Sequence, residues 1–311
     1  MTEPVGIDAG HGYTKALRLN GQRVVFPSLI CAAPATVDLG EFSTQNAPTL
    51  INGQSYLVGE VARRHATPLW ERDKASDVDT AHLILVAAAQ LGLSGPVRLA
   101  TGLPLSWWGE QRRAFRAALQ GLDARITVPS HPPTRLWLEE VLVLPQGVAA
   151  AGPILAQSSY QSGPYLVVDW GERTTDYIIV TKRPDGRLDF DPAAAGSLEI
   201  GCHAIGTAMA AQLTTQYQTP FQAVALESLE AVAVRGQRID LTPFRQEVQQ
   251  RVTRQLVRAL HEALAHQLEQ VLGIVAVGGG STFLAQALPA VVQPPDAQWA
   301  NAVGYLESVA L

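Results

Sequence analysis

The stretch Val5-Gly6-Ile7-Asp8-Ala9-Gly10-His11-Gly12-Tyr13-Thr14-Lys15-Ala16-Leu17 decides the fold. Val5 to Ile7 reads as a short apolar strand closed by Asp8-Ala9-Gly10, and an extended pattern resumes from Tyr13 to Leu19. Asn20-Gly21 is a two-residue hairpin signal, and Arg23 to Phe26 supplies a third strand that stops at Pro27-Ser28. The chain therefore opens on a three-stranded meander. The same plan returns at Leu166-Val167-Val168-Asp169-Trp170-Gly171-Glu172-Arg173-Thr174-Thr175-Asp176. Tyr165 to Val168 is a buried-type strand closed by Asp169-Trp170-Gly171, Tyr177 to Lys182 a second, and Leu188 to Phe190 a third after the turn Pro184-Asp185-Gly186. Asp8 and Asp169 lie 161 positions apart. A strand, a tight D-x-G turn, two more strands and then helices, met twice, indicate a duplicated α/β domain.

Between and after these meanders the pattern alternates. Residues 32–52 read as loop, and Asn52-Gly53 marks a turn before Tyr56 to Gly59. Ser76-x-x-Asp79 reads as a capping box for a helix to about Leu91. Val97 to Leu103 is an apolar strand, Trp107 to Leu119 a helix, Arg135 to Leu144 a strand, and Val148 to Gln157 a helix limited by Pro153. The second half adds helices over Ala204 to Tyr217, Pro220 to Val232 and Phe244 to Leu272. The last carries Val248, Val252, Leu256, Leu260, Leu264 and Leu268 in a slowly drifting apolar row. Arg251, Arg254 and Arg258 lie off that row and read as its solvated face. Ile274 to Val277 is a buried strand running into Gly278-Gly279-Gly280. Trp107-Trp108 reads as a pair of packed helix residues rather than a surface patch.

Composition agrees. A chain of 311 residues suggests about two domains, with 47% apolar and 16% charged residues, outside the range of disordered chains. A net charge of −5 argues against a chain built for direct contact with nucleic acid or an anionic membrane. Cys31 and Cys202 match no zinc or redox spacing and read as reduced, buried thiols. The N-terminus has no basic region followed by an apolar run, so no signal peptide is expected. The uncharged run from Val141 to Val168 is long enough to span a membrane but is interrupted by prolines and glycines, so a soluble, cytoplasmic chain is expected.

Four stretches carry chemistry. In the first hairpin, Gly10, His11 and Gly12 expose backbone N–H groups able to cradle phosphate, and Lys15 adds a point charge. Asp8 at the strand end could hold Mg²⁺ through water. The second hairpin repeats the arrangement with Asp169, so that two such hairpins would grip a polyphosphate from both sides. Each hairpin alone is also what an ordinary surface turn would show. Gly278, Gly279 and Gly280, followed by Ser281-Thr282, allow close approach of a flat ligand, or simply a tight strand-to-helix connection. Gln146, in Pro145-Gln146-Gly147, could orient water for nucleotide hydrolysis or start a helix.

These residues resemble the actin, Hsp70 and sugar kinase superfamily, and within it the plasmid-partition actin-like ATPases of the ParM/StbA type and their archaeal relatives. The stretches that carry the resemblance are residues 5–17, FPS (26–28), YLVGEVA (56–62), ATGLPL (100–105), VLPQGVAAA (143–151), 166–176, EIG (199–201), VAVGGGSTFL (275–284) and ANAVGY (300–305). The resemblance implies two duplicated actin-like, ribonuclease H-like domains around an interdomain nucleotide cleft. Domain I would take residues 1–158 with the C-terminal helix, about 298–311, and domain II residues 159–297. It implies ATP or ADP with Mg²⁺ as cofactors, and Asp8 and Asp169 as carboxylates holding the metal through water. Phosphate and nucleoside contacts would come from Gly10, His11, Gly12, Tyr13 and Lys15, from Gly171, Glu172, Arg173 and Thr174, and from Gly278 to Ser281. Gln146 would place the attacking water, with Asp8 and Asp169 completing the catalytic set. Asn301 to Gly304 matches the second connecting helix, which would make a hinge. Glu172 and Arg173 stand where the family often has glycine, and would narrow the approach to phosphate or add a charge contact.

The resemblance further implies an ATPase whose hydrolysis controls a homopolymeric filament, reaching plasmid DNA through a DNA-bound adaptor or serving a cytoskeletal role. The alternatives are a small-molecule kinase of the same superfamily, for which no substrate-hydroxyl base is apparent, and a non-polymerising nucleotide switch.

Overall fold

The computed structural model describes residues 2–34, 47–63, 65–66, 71–227, 229–288 and 291–310. The chain divides into two compact units. One takes the chain up to Leu103, Trp107–Pro145 and the chain from Asn301 on, and the second takes Pro104–Ser106 and Gln146–Ala300.

The first unit holds strands β1 (Glu3–Ala9), β2 (Tyr13–Arg18), β3 (Arg23–Pro27), β4 (Ile30–Ala32), β5 (Thr49–Ile51), β6 (Gln54–Val58), β7 (Gly95–Leu103), β8 (Asp123–Thr127) and β9 (Thr134–Pro145). Their order in one sheet is β3-β2-β1-β7-β9-β8-β5-β6-β4, with β1, β7 and β9 parallel. Helices α1 (Val78–Gln90) and α2 (Leu105–Leu119) belong largely to this unit. The odd-numbered residues Val5 and Ile7 of β1, and Val97, Leu99 and Leu103 of β7, share a core with Leu83 to Ala89 of α1 and Phe115 and Leu119 of α2. The even-numbered positions face the other way, toward the last helix of the chain. A Cβ on Gly6 would overlap Ala302 O there, and one on Gly102 would overlap the Tyr305 hydroxyl. Both strands are covered on both faces, which is why they read as unbroken apolar runs.

The second unit contains α3 (Val148–Leu155), β10 (Gly163–Trp170), β11 (Thr175–Lys182), β12 (Leu188–Leu198), α4 (His203–Tyr217), α5 (Ala223–Glu227), β13 (Ala231–Val234), β14 (Gln237–Asp240), α6 (Thr242–Leu264), β15 (Ile274–Val277), α7 (Ser281–Ala287) and β16 (Val291–Val292). The final helix, α8 (Ala300–Ala310), belongs to the first unit from Asn301 on. The second sheet runs β12-β11-β10-β15-β16, repeating the order β3-β2-β1-β7-β9 strand for strand. Leu166, Val168 and Trp170 face a core with α4, α6 and α7, while Tyr165 and Val167 face Ala150, Ala151, Ile154 and Leu155 of α3. The fold is thus a duplicated α/β design, as the two meanders imply.

Several local expectations are corrected. Asn20-Gly21 does not form a two-residue hairpin. Arg18 N–H bonds Gln22 O and Gly21 N–H bonds Arg18 O, leaving Leu19, Asn20 and left-handed Gly21 (φ +83°) as a three-residue loop; such a loop places its glycine after a type I turn. Asn52-Gly53 does make a two-residue turn, with φ of 49° and 83°, joining β5 to β6 at the pair Ile51 and Gln54. The loop over 32–52 is partly strand at Thr49–Ile51, and its residues 35–46 lie outside those described. α1 is capped by Asp77, whose carboxylate accepts from Asp79 N–H, rather than by Ser76.

The helix expected over Pro220 to Val232 is short α5 followed by strand β13. Arg235-Gly236 turns the chain into β14 with both φ positive, a turn chemistry that overrides helix propensity. α6 ends at Leu264, because Ala265 takes a φ of 39°, and a 3-10 turn carries the chain to Glu269. Strand β8 has no counterpart in the sequence reading, and β12 continues well past Phe190. Both cysteines are free and half-buried rather than buried. Trp107 is buried, and half-buried Trp108 donates from its indole to Val143 O at 2.9 Å, so the pair is packed.

Candidate functional site

In the first unit, Asp8 pairs with Lys15 and Ala9 with Thr14 across β1 and β2. Gly10, His11 and Gly12 therefore form the loop, and Tyr13 opens β2 opposite Pro27 of β3. Asp8 is 5% exposed, and Lys15 Nζ stands 3.2 Å from its Oδ2, so the strand-end carboxylate already faces a cation. Gly10 approaches the returning chain closely; a Cβ there would sit 3.1 Å from Tyr13 O. The hairpin is tied down from outside by Ser28. Its N–H donates to Gly12 O at 2.8 Å, and its hydroxyl lies 2.8 Å from the Thr14 hydroxyl, both side chains fully buried. His11 meets the Trp107 ring edge-on at 5.7 Å, and the Arg72 guanidinium lies 5.4 Å from the same ring. Tyr13 is exposed.

In the second unit the register is the same. Asp169 pairs with Asp176 and Trp170 with Thr175, leaving Gly171, Glu172, Arg173 and Thr174 as the loop. Asp169 is 6% exposed. Thr175, the counterpart of Thr14, also uses its hydroxyl to tie the hairpin down, donating to Ile200 O at 2.6 Å. Gly171 N–H donates to Thr174 O at 3.0 Å within the loop. Gly171 O accepts from Cys202 N–H at 3.0 Å, and Glu172 O accepts from both the N–H and the Nδ1 of His203, each at 2.9 Å. Gly201 makes this possible, since a Cβ there would overlap Glu172 O. Arg173 is drawn toward Glu199, Nε to Oε2 at 3.6 Å.

Asp176 stands where the first hairpin has Lys15. Burial pushes its carboxyl up to about 7, Ser197 and Leu105 N–H opposing and Asp169 reinforcing the rise. Its Oδ2 accepts from Leu105 N–H at 3.0 Å, its Oδ1 bonds the Ser197 hydroxyl, and Ser197 Oγ accepts from Ser106 N–H at 3.1 Å. The first amides of α2 are thus satisfied by β11 and β12, in the manner of a helix cap. Burial also raises the thiol of Cys202.

Two more of the expected stretches come together around Asp169 and Trp170. Gly147, with a φ of +74°, precedes α3, and a Cβ on it would lie 3.9 Å from Asp169 Cβ. Gln146 is its immediate neighbour. Gly278, with a φ of +83°, ends β15 against the same carboxylate; a Cβ there would overlap Asp169 Oδ1 and stand 2.6 Å from Trp170 O. Gly280 donates to Trp170 O at 3.0 Å and leaves no room for a Cβ beside the indole. Buried Ser281 opens α7, its Oγ accepting from Gln293 Nε2 at 3.1 Å. The Gln146-Gly147 turn, the strand-end aspartate and the triple glycine are therefore one cluster in the second unit.

The sequence reading includes FPS (26–28), residues 166–176 and EIG (199–201) but gives Ser28, Asp176 and the bracing segment 199–203 no role. Thr14 and Thr175 recur at the spacing of the two aspartates and mark where each hairpin is braced. Among the described residues, no group of three or more His, Cys, Asp and Glu gathers as a metal cluster. Nor is any helix among them long and apolar enough to cross a membrane.

Comparison with known proteins places these features. Residues 6–148 match the family described as actin like proteins, N terminal domain, and residues 167–290 match that described as archaeal actin homologue MreB-like, C-terminal. The chain is 25% identical to an archaeal actin homolog of Thermoplasma acidophilum, over 98% of each chain. Among solved structures it is similar to a ParM in a 15-stranded filament from Clostridium botulinum, with a TM-score of 0.85 at 20% identity over 99% of both chains. An archaeal actin homolog in complex with ADP gives a TM-score of 0.80 at 21% identity, again over 99% of both.

Proposed function

The chain belongs to the actin-like proteins, and from that premise we propose that it binds ATP with Mg²⁺ through its two hairpins, hydrolyses it, and assembles with copies of itself into filaments. One observation carries the reading: the hairpins share their register residue for residue, each presenting a buried aspartate at the end of a central strand. The residues fit the metal. Asp8 and Asp169 offer hard oxygen ligands, few enough to leave Mg²⁺ most of its water shell. Gly10 and Gly278 keep the ground beside Asp8 and Asp169 clear of side chains.

Mg²⁺, when bound, neutralises charge that develops on the phosphates. Asp8 and Asp169 would hold the hydrated ion. Lys15, already beside Asp8, would balance further phosphate charge. Gln146, next to the glycine that abuts Asp169, would orient water; a carboxamide both donates and accepts, so it can fix a water without ionising. The chain's part in catalysis is then positioning and charge stabilisation. Self-assembly is supported by the likeness to a ParM described as a filament, and adenine nucleotide by the likeness to a homolog described with ADP.

Calorimetric titration of ATP with and without Mg²⁺ tests the binding. Asp169→Ala should abolish turnover, and Gln146→Ala should slow it while leaving nucleotide affinity in place. Equal turnover in wild type and Gln146→Ala removes the glutamine from the mechanism. Sedimentation and electron microscopy with ATP, with ADP and without nucleotide test assembly; no pelleting in any condition would leave a nucleotide switch.

A further inference from the structure

The second hairpin lacks the glycines that would make its tip pliant, and carries Glu172 and Arg173 instead. Its shape is set from outside. Two consecutive carbonyls, Gly171 O and Glu172 O, are turned toward the start of α4, where the amides of Cys202 and His203 and the Nδ1 of His203 receive them. A carbonyl only accepts, so the His203 contact requires the proton on Nδ1. In a planar trans peptide the N–H points opposite to the C=O of the same unit. The N–H groups of Glu172 and Arg173 therefore face together away from α4. Two successive amides aimed to one side are the arrangement that receives an anion. Gly171 N–H has no part in it, because it is directed to Thr174 O.

We infer that His203 is a positioning residue for phosphate: by holding Glu172 O with two donors it orients the hairpin amides that would meet the phosphate chain. The inference rests on the nucleotide-binding reading and deepens it. It gives the second hairpin's phosphate contact to the amides of Glu172 and Arg173, and none to that of Gly171. The Arg173 guanidinium, drawn to Glu199, serves as part of the brace. Gly201 has the same duty as His203, since only a residue without a Cβ lets the segment come this close.

The test compares wild type with His203→Ala, His203→Phe and His203→Asn in ATP titrations by calorimetry and in steady-state turnover. Asn carries an N–H donor close to the position of Nδ1, whereas Phe keeps the ring and loses the donor. ATP affinity and kcat/KM should fall about ten-fold in the Ala and Phe variants, the scale of one hydrogen bond removed. His203→Asn should return to within about three-fold of wild type. Unchanged affinity in Ala and Phe, or a loss in Asn equal to theirs, overturns the inference. A wild-type protein that takes up no ATP would instead overturn the nucleotide reading itself. If His203→Ala does not fold, the Phe and Asn pair carries the comparison.

Discussion

Lys15 and Asp176 occupy one and the same position in two like hairpins, each the cross-strand partner of the strand-end aspartate, Asp8 in the first and Asp169 in the second. The duplication has kept the backbone and inverted the charge. The first hairpin presents a carboxylate matched by an ammonium, and the second two buried carboxyls on adjacent strands, that of Asp176 turned to cap α2.

Removing the cation should therefore matter to binding. Lys15→Ala leaves Asp8 without its ion pair and subtracts a charge from the first hairpin. ATP·Mg²⁺ affinity should fall at least ten-fold, about 1.4 kcal/mol, as measured by calorimetry at fixed ionic strength. An affinity within two-fold of wild type would remove Lys15 from the phosphate site.

The partner position predicts a pH effect. Asp176 has its folded pKa raised to about 7 from an ordinary value near 3.8. Between those values the unfolded chain releases a proton that the folded chain keeps, so stability falls as pH rises from about 4 to about 7 and then levels. Asp176→Asn, which cannot ionise, should gain stability relative to wild type at pH 8 and show little difference at pH 4. Urea unfolding without nucleotide or metal checks this; an identical difference at both pH values would show that the carboxyl is not held protonated.

His82 gives the opposite slope. Its ring is packed beside Tyr56 at 5.1 Å, and burial lowers its pKa despite the opposing pull of Asp79 and Asp77. The unfolded chain takes up a proton near pH 6.5 that the folded chain accepts only lower, so this group costs stability as pH falls below about 6.5. His82→Leu should flatten that part of the unfolding profile between pH 5 and 7. A slope that persists unchanged would assign the acid sensitivity elsewhere.

Two glycines separate crowding from propensity. Gly109 lies inside α2 with open space around its missing Cβ, so Gly109→Ala should stabilise by about 0.5–1 kcal/mol. Gly102 lies under Tyr305, and Gly102→Ala should destabilise by about 2 kcal/mol or more. Thermal unfolding of the two variants should move in opposite directions; a common direction would contradict the seating of α8.

What the sequence alone reveals follows from the range of each signal. Asp8 and Asp169 ending apolar strands, the glycines beside them and the 161-residue spacing are local patterns, and the paired sheets bear out the duplication. Asn52-Gly53 could be read as a turn because both residues tolerate positive φ. Asn20-Gly21 has the same letters and a different turn, since only the register of β2 and β3 decides where that loop begins. The end of α6 was hidden because Leu268 continues the apolar row past the break at Ala265. Asp176 reads as one more polar residue in a strand, and its burial is set by Leu105, Ser106 and Ser197, far away in the chain. The brace over Gly201 to His203 was invisible for the same reason: nothing near Glu172 announces that the chain returns thirty residues later to hold its carbonyl.

The seating of α8 has a consequence for how the molecule is made. The sheet of the first unit keeps bare glycine at Gly6 and Gly102 for a helix that leaves the ribosome after every residue of the second unit. During synthesis that face of β1 and β7 stays uncovered while the later unit already has all its strands. The first unit thus cannot complete its packing until the whole of the second has been made, and the earliest residues of the chain wait for the latest to be enclosed.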